Sequence, residues 1–241
     1  EPALFCDDRH NRGANADRRL RFAIACAPMV PSPYQRIVAA TDFSDCAKAA
    51  VEAAARLANE LEAELELAHC VQLPAHLWAL PTTPATVQKQ LEAHARIELE
   101  ALRLEVCPAA QIVVLGGDSP AMAVAHHAKR VGADLCVVGT RGRTGIARML
   151  LGSVAEVVVR HATCDVLTIP LQTAATTAPI AKRILVATDF SDAAKVAVQV
   201  AAAMAAQFGA ELHMLHVVQN EHLTPAVGGL VFSHDFDVEQ I

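Results

Sequence analysis

The chain predicts an α/β protein built on an open, mostly parallel sheet, and three observations carry that prediction. Short aliphatic runs alternate along the sequence with longer Ala-rich segments of helical period. Hydrophobic residues make up 53% of the 241, yet only 4% are aromatic, which disfavours an all-β sandwich. Most of the aliphatic runs stop at or next to Asp, Gly or Pro and so read as buried strands feeding crossovers.

Regular structure begins at Arg36-Ile-Val-Ala-Ala40, a buried strand closed by Thr41-Asp42. Ser44 then caps a helix whose Ala, Val and Leu positions recur at helical spacing to about Leu61. The run Glu64–Val71 is the second strand, residues Leu73–Pro84 a loop, and Ala85–Val106 a charged helix. Gln111–Leu115 is the third strand, ending in Gly116-Gly117-Asp118. Ser119-Pro120 opens the next helix in the favoured order of cap then proline, and Gly132 closes it. The fourth strand, Asp134–Gly139, leads into a glycine loop, a helix entered at Gly152-Ser153, and a fifth strand, Asp165–Ile169, stopped by Pro170.

The sequence then repeats itself. Arg183-Ile-Leu-Val-Ala-Thr-Asp-Phe-Ser-Asp192 mirrors Arg36–Asp45, and His216-Val-Val-Gln219 mirrors His69–Gln72, with more than half of the aligned positions identical. The expected organisation is an N-terminal extension over 1–33, a complete unit over 34–171, a Thr/Ala-rich linker over 172–181, and a partial second unit over 182–241. A strand–helix–strand half-unit exposes an apolar face, so it must continue past residue 241, dock on the first unit, or pack on another chain.

Composition narrows the function. A net charge of −6 argues against a general nucleic-acid binder, which needs a broad basic surface. No apolar run approaches the ~20 residues of a membrane-spanning helix. The segment Arg18–Val30 imitates a secretion signal, but its apolar part is short and holds Pro28, so it reads as part of the extension. Seven scattered cysteines without a C-x-x-C pair fit a reduced cytoplasm.

The stretch Gly139–Ser153, G-T-R-G-R-T-G-I-A-R-M-L-L-G-S, points to a ligand. A strand ending on glycine, a loop, and a helix starting at Gly-Ser is the arrangement by which backbone N–H groups hold phosphate. Arg141, Arg143 and Arg148 make the loop cationic on an acidic chain. Each residue has a plainer reading beside this one. The loop can be a tight turn, Asp42 a helix cap, and Arg141 a solvated charge. His69, repeated as His216, reads as a hydrogen-bonded core histidine, and His126-His127 lacks a partner at metal spacing.

Taken together, the V-A-T-D-F-S opening and the G-x2-G-x9-G-[ST] spacing of Gly139, Gly142, Gly152 and Ser153 resemble the universal stress protein family, in its ATP-binding subgroup. The resemblance implies an adenine-nucleotide-hydrolase-like, Rossmann-like α/β fold: a five-stranded parallel sheet in the order 3-2-1-4-5 with helices on both faces. Ligands of open α/β sheets sit where the strand order reverses, which here falls between the first and fourth strands. By the same resemblance Ala40, Thr41, Asp42 and Val71 contact base and ribose, and Gly139 lies by the ribose. Gly142, Gly152, Ser153 and Val154 then hold phosphates, and Arg141 is a further candidate contact to the nucleotide. The implied ligand is ATP, with AMP or ADP as relatives, and Mg²⁺ or Mn²⁺ is held through phosphate oxygens and water. The implied partner is a second copy, paired through the edge strand 165–169.

Three functions follow as alternatives: a nucleotide-dependent regulatory module in stress response, a slow ATPase on the same fold, and a dimerisation scaffold without nucleotide. The phosphate loop has no lysine and the sequence offers no evident general base, which favours the first over the second. The intact glycine motif favours it over the third.

Overall fold

The computed structural model describes residues 33–72, 84–140, 151–171 and 181–217. The expected extension (save its last residue), nearly all of the expected linker, and the positions Arg141 and Gly142 lie outside those residues. The first sheet comprises β1 (Arg36–Ala40), β2 (Glu64–Val71), β3 (Gln111–Gly116), β4 (Leu135–Gly139) and β5 (Asp165–Ile169). Its helices are α1 (Asp45–Leu61), α2 (Pro84–Val106), α3 (Pro120–Val131) and α4 (Ser153–His161). All strand pairs are parallel and the order is β3-β2-β1-β4-β5, as the resemblance implied.

Burial on both sides explains why the central strands are continuously apolar. Ile37, Val38 and Ala39 of β1 are all fully buried, and alternate residues serve opposite layers. Ile37, Ala39, Leu65, Leu67, Leu135 and Val137 meet Val51, Leu57 and Leu61 of α1 and Leu99 of α2. On the other face Val38, Ala68, Cys136 and Val138 meet Val124 and Ala128 of α3 and Ala155 and Val158 of α4. Truncating Leu57 or Leu99 to Ala would cost about 2–5 kcal/mol by lost burial and cavity formation.

The helix boundaries follow their capping residues. Ser44 accepts from Ala47 N to start α1, and Ser119 accepts from Met122 N with Pro120 in the first turn of α3. Gly132 ends α3 in the left-handed region at φ 66°, where a Cβ is unfavourable. The fourth strand starts at Leu135, one residue later than its apolar run suggested. The Asp134 carboxylate is used instead to receive the amides of Gln35 and Arg36, each at 2.9 Å. Beside it, the Tyr34 hydroxyl donates to Asp165 Oδ2 at 2.9 Å, tying the entry of β1 to the entry of β5.

The repeated segment forms β6 (Arg183–Ala187), α5 (Asp192–Phe208) and β7 (Glu211–Leu215), with β6 and β7 parallel. Of the three expected fates of this half-unit, docking on the first unit is seen. Val200, Met204 and Phe208 of α5 pack against the α1 side of the first core, and Gln207 Nε2 donates to Glu60 O at 3.4 Å. Docking leaves much apolar surface open: Leu185 is 67% exposed, whereas its counterpart Val38 is fully buried.

Candidate functional site

The C-terminal edge of the sheet is where the sequence places its chemistry, and β1 delivers the first part. The ladder continues one residue past Ala40, with Thr41 N donating to Ala68 O at 2.9 Å. The chain then turns on its own side chains. Thr41 Oγ1 accepts from Phe43 N at 3.0 Å, and Asp42 Oδ1 accepts from Ser44 N at 3.1 Å and Ser44 Oγ at 2.6 Å. Such interlocked turns let short polar side chains replace backbone partners. Phe43 sits at φ 64°, an unusual conformation for a bulky residue. Asp42 therefore shapes the turn that starts α1, which is the plainer of the two roles open to it from sequence.

The second part comes from β4, paired to β1 through Ile37↔Leu135, Val38↔Cys136 and Ala39↔Val137. Gly139 ends the strand. A Cβ there would lie 2.9 Å from Cys46 O and 3.1 Å from Cys46 Sγ, so glycine lets α1 seat closely on β4. The buried Thr140 donates its amide to Ile169 O at 2.9 Å and accepts from Gly152 N at 2.7 Å. The chain thus leaves the sheet at Thr140 and returns to the same residue at Gly152.

Gly152 is the N-cap of α4, at φ −72° and ψ 158°, and as a glycine it makes no side-chain cap hydrogen bond. The amides of Ser153, Val154 and Ala155 open the helix at its positive end without a side-chain acceptor from the cap. Ala40 at the end of β1, Thr41 and Asp42 just beyond it, Gly139 on β4, and Gly152, Ser153 and Val154 at the start of α4 thus share one crest. Val71 ends β2 on the same edge, paired with Gly116. Arg141 and Gly142 fall outside the described residues. Among the described residues no three His, Cys, Asp or Glu side chains converge on a metal position.

β1 is flanked by β2 on one side and β4 on the other, so the crest lies at the reversal of strand order. A family model described as the universal stress protein family matches residues 33–170 and again 181–233. The chain belongs to the universal stress protein family. A universal stress protein of Methanocaldococcus jannaschii is 34% identical over 151 residues, spanning 56% of this chain and 82% of that protein. A universal stress protein of Bacillus subtilis is 31% identical over 145 residues, spanning 56% of this chain and 97% of that protein. A solved universal stress protein from Archaeoglobus fulgidus matches with a TM-score of 0.62 over 82% of this chain and 71% of that one. At 20% identity this is a likeness of fold.

This universal stress protein repeats its crest turn in the second unit. Phe190 N donates to Thr188 Oγ1 at 3.1 Å and Ser191 N to Asp189 Oδ1 at 2.9 Å, with Phe190 at φ 65°. Hydrogen bonding from the Ser191 side chain, then from its amide, holds the Asp189 carboxyl below the usual carboxylate range.

Sequence reasoning missed one buried polar cluster. His127 on α3 is 4% exposed, its Nε2 lies 2.6 Å from Glu66 Oε2 of β2, and Arg130 Nη2 lies 2.7 Å from its Nδ1. A guanidinium only donates, so Nδ1 accepts and Nε2–H donates to the carboxylate. Glu66 interrupts an apolar strand and His127 sits one turn from Arg130, but nothing local says that they meet across two elements.

Proposed function

We propose that this universal stress protein binds an adenine nucleotide, ATP, at the β1–β4 crest and acts as a nucleotide-dependent regulatory module in stress response. One observation carries the reading: the α4 N-terminus opens on Gly152, an N-cap with no side chain of its own, one hydrogen bond from the end of β4 and beside the Thr41–Asp42 tip that follows β1. Uncapped amides at the positive end of a helix suit phosphate oxygens. A glycine N-cap leaves room for close approach of the ligand.

In this reading Ala40, Thr41, Asp42 and Val71 receive base and ribose, with Gly139 beneath the ribose. Gly152, Ser153 and Val154 hold phosphates together with Arg141 and Gly142. Mg²⁺ or Mn²⁺ rides on phosphate oxygens and water. The outer edge of β5, Asp165–Ile169, is the proposed seam of a homodimer. Free thiols at Cys46, Cys70, Cys107, Cys136 and Cys164 suit a reduced cytoplasm.

The test is direct. Purified protein is denatured and the released small molecules are separated by chromatography, and ATP binding is measured by calorimetry. Retained or tightly bound ATP supports the proposal. Steady conversion to ADP or AMP would make the protein an enzyme, and an empty protein without ATP affinity would reduce it to a scaffold.

A further inference from the structure

The turn that carries Asp42 is held from the neighbouring strand. His69 of β2 places Nδ1 at 2.8 Å from the Thr41 carbonyl oxygen. A carbonyl only accepts, so Nδ1 carries the proton. The same ring lies against Phe43, with centroids 4.5 Å apart and planes inclined by 33°. One imidazole thus grips the residue before Asp42 by its backbone and the residue after it by its ring. Its second grip falls on the left-handed Phe43, a conformation that persists only when neighbours hold it.

The second unit repeats the device. His216 Nδ1 lies 2.7 Å from Thr188 O, and the Phe190 and His216 rings stand 4.5 Å apart. Among the described residues this unit supplies only β6, α5 and β7, without a β4-like strand beside β6. Within the described residues, strand, helix and strand thus make the same grip in both units.

We propose that His69 is a positioning residue of the nucleotide crevice, acting through the Thr41 carbonyl and the Phe43 ring to present the Thr41–Asp42 backbone to the ligand. This rests on the nucleotide reading above. The geometry makes the donor atom, rather than the ring as such, the decisive feature. The side-chain amide nitrogen of Asn sits as many bonds from Cβ as His Nδ1 does, whereas that of Gln lies one bond farther.

The experiment combines two readouts on the full chain. Nitrogen-resolved NMR of the imidazoles in the ligand-free protein is expected to find both His69 and His216 with the proton on Nδ1. Calorimetry with ATP as the probe is expected to give His69→Gln an affinity about tenfold weaker, His69→Asn an affinity close to wild type, and His216→Gln no change. Thermal melting of each variant separates loss of fold from loss of positioning. The proposal is overturned if His69 carries its proton on Nε2, if Asn and Gln weaken ATP binding equally, or if neither does. Should His69→Gln fail to fold, the tautomer and the Asn variant still decide. A wild-type protein that does not bind ATP would overturn the nucleotide reading and this proposal together, while wild-type binding that ignores His69→Gln overturns this proposal alone.

Discussion

Gly139 and Cys46 approach so closely that a Cβ on Gly139 would lie 2.9 Å from the Cys46 carbonyl oxygen. The first glycine of the loop motif is thus required by the packing of α1 on β4, whatever the crevice holds. Backbone cannot give way as a flexible side chain does, so Gly139→Ala is expected to destabilise the fold by about 1–3 kcal/mol, as overpacking does. Urea denaturation reads this directly. A loss below about 0.5 kcal/mol would mean that the contact relaxes freely.

Gly152 behaves in the opposite way. Its φ of −72° and ψ of 158° are open to any residue, so a side chain there does not strain the backbone. A carboxylate at a helix N-terminus also favours the helix. Gly152→Glu is therefore expected to melt at or above the wild-type temperature. ATP affinity should fall by about 100-fold or more, since like charges brought together cost several kcal/mol. Unchanged affinity by calorimetry would count against the α4 N-terminus as the phosphate site.

These two glycines also mark how far the sequence could be read. Strands and helices were legible because β1, β3 and β4 are short aliphatic runs closed by Asp or Gly, and because Ser44, Ser119 and Gly132 punctuate the helices. The crest was legible because parallel strands end on one edge, which brings Asp42 and Gly152 together without knowledge of any side chain. Spacing could not separate a glycine that admits a helix from one proposed to admit a ligand, since both read as G. Nor could it give the docking of Val200, Met204 and Phe208 on the first core, a contact between residues far apart in the chain.

The cluster of Glu66, His127 and Arg130 belongs to the same class of unreadable contact, and its energetics can be separated by a double-mutant cycle. His127→Leu leaves the Glu66 carboxylate without its buried donor and should cost about 1–3 kcal/mol. Glu66→Leu removes the acceptor and leaves the imidazole N–H unpaired. The double variant replaces both partners by apolar groups, so it should be more stable than the sum of the two losses implies, by about 0.5–3 kcal/mol. Strict additivity in urea denaturation would show that the 2.6 Å contact carries no coupling.

Tyr34 gives the protein an alkaline limit. Burial, followed by the hydrogen bond to Asp165, raises its phenol well above the ordinary value. The folded state keeps this proton where the unfolded state has lost it, so stability is complete below the ordinary phenol value of about 10 and declines as the pH rises above it. The decline from this group is at most about 1.4 kcal/mol per pH unit. The Cys136 thiol, pushed up to about 12 chiefly by burial, contributes a loss of the same sign that begins from its own lower ordinary value. The chain has a single tyrosine, so phenolate absorbance reports Tyr34 alone. Phenolate absorbance should stay low in the folded protein and rise together with unfolding as followed by circular dichroism. Tyr34→Phe should flatten the stability loss between about pH 10 and 11.5, leaving the thiol contribution. A phenol that ionises in the folded protein near pH 10 would mean that the link to Asp165 does not hold β1 to β5.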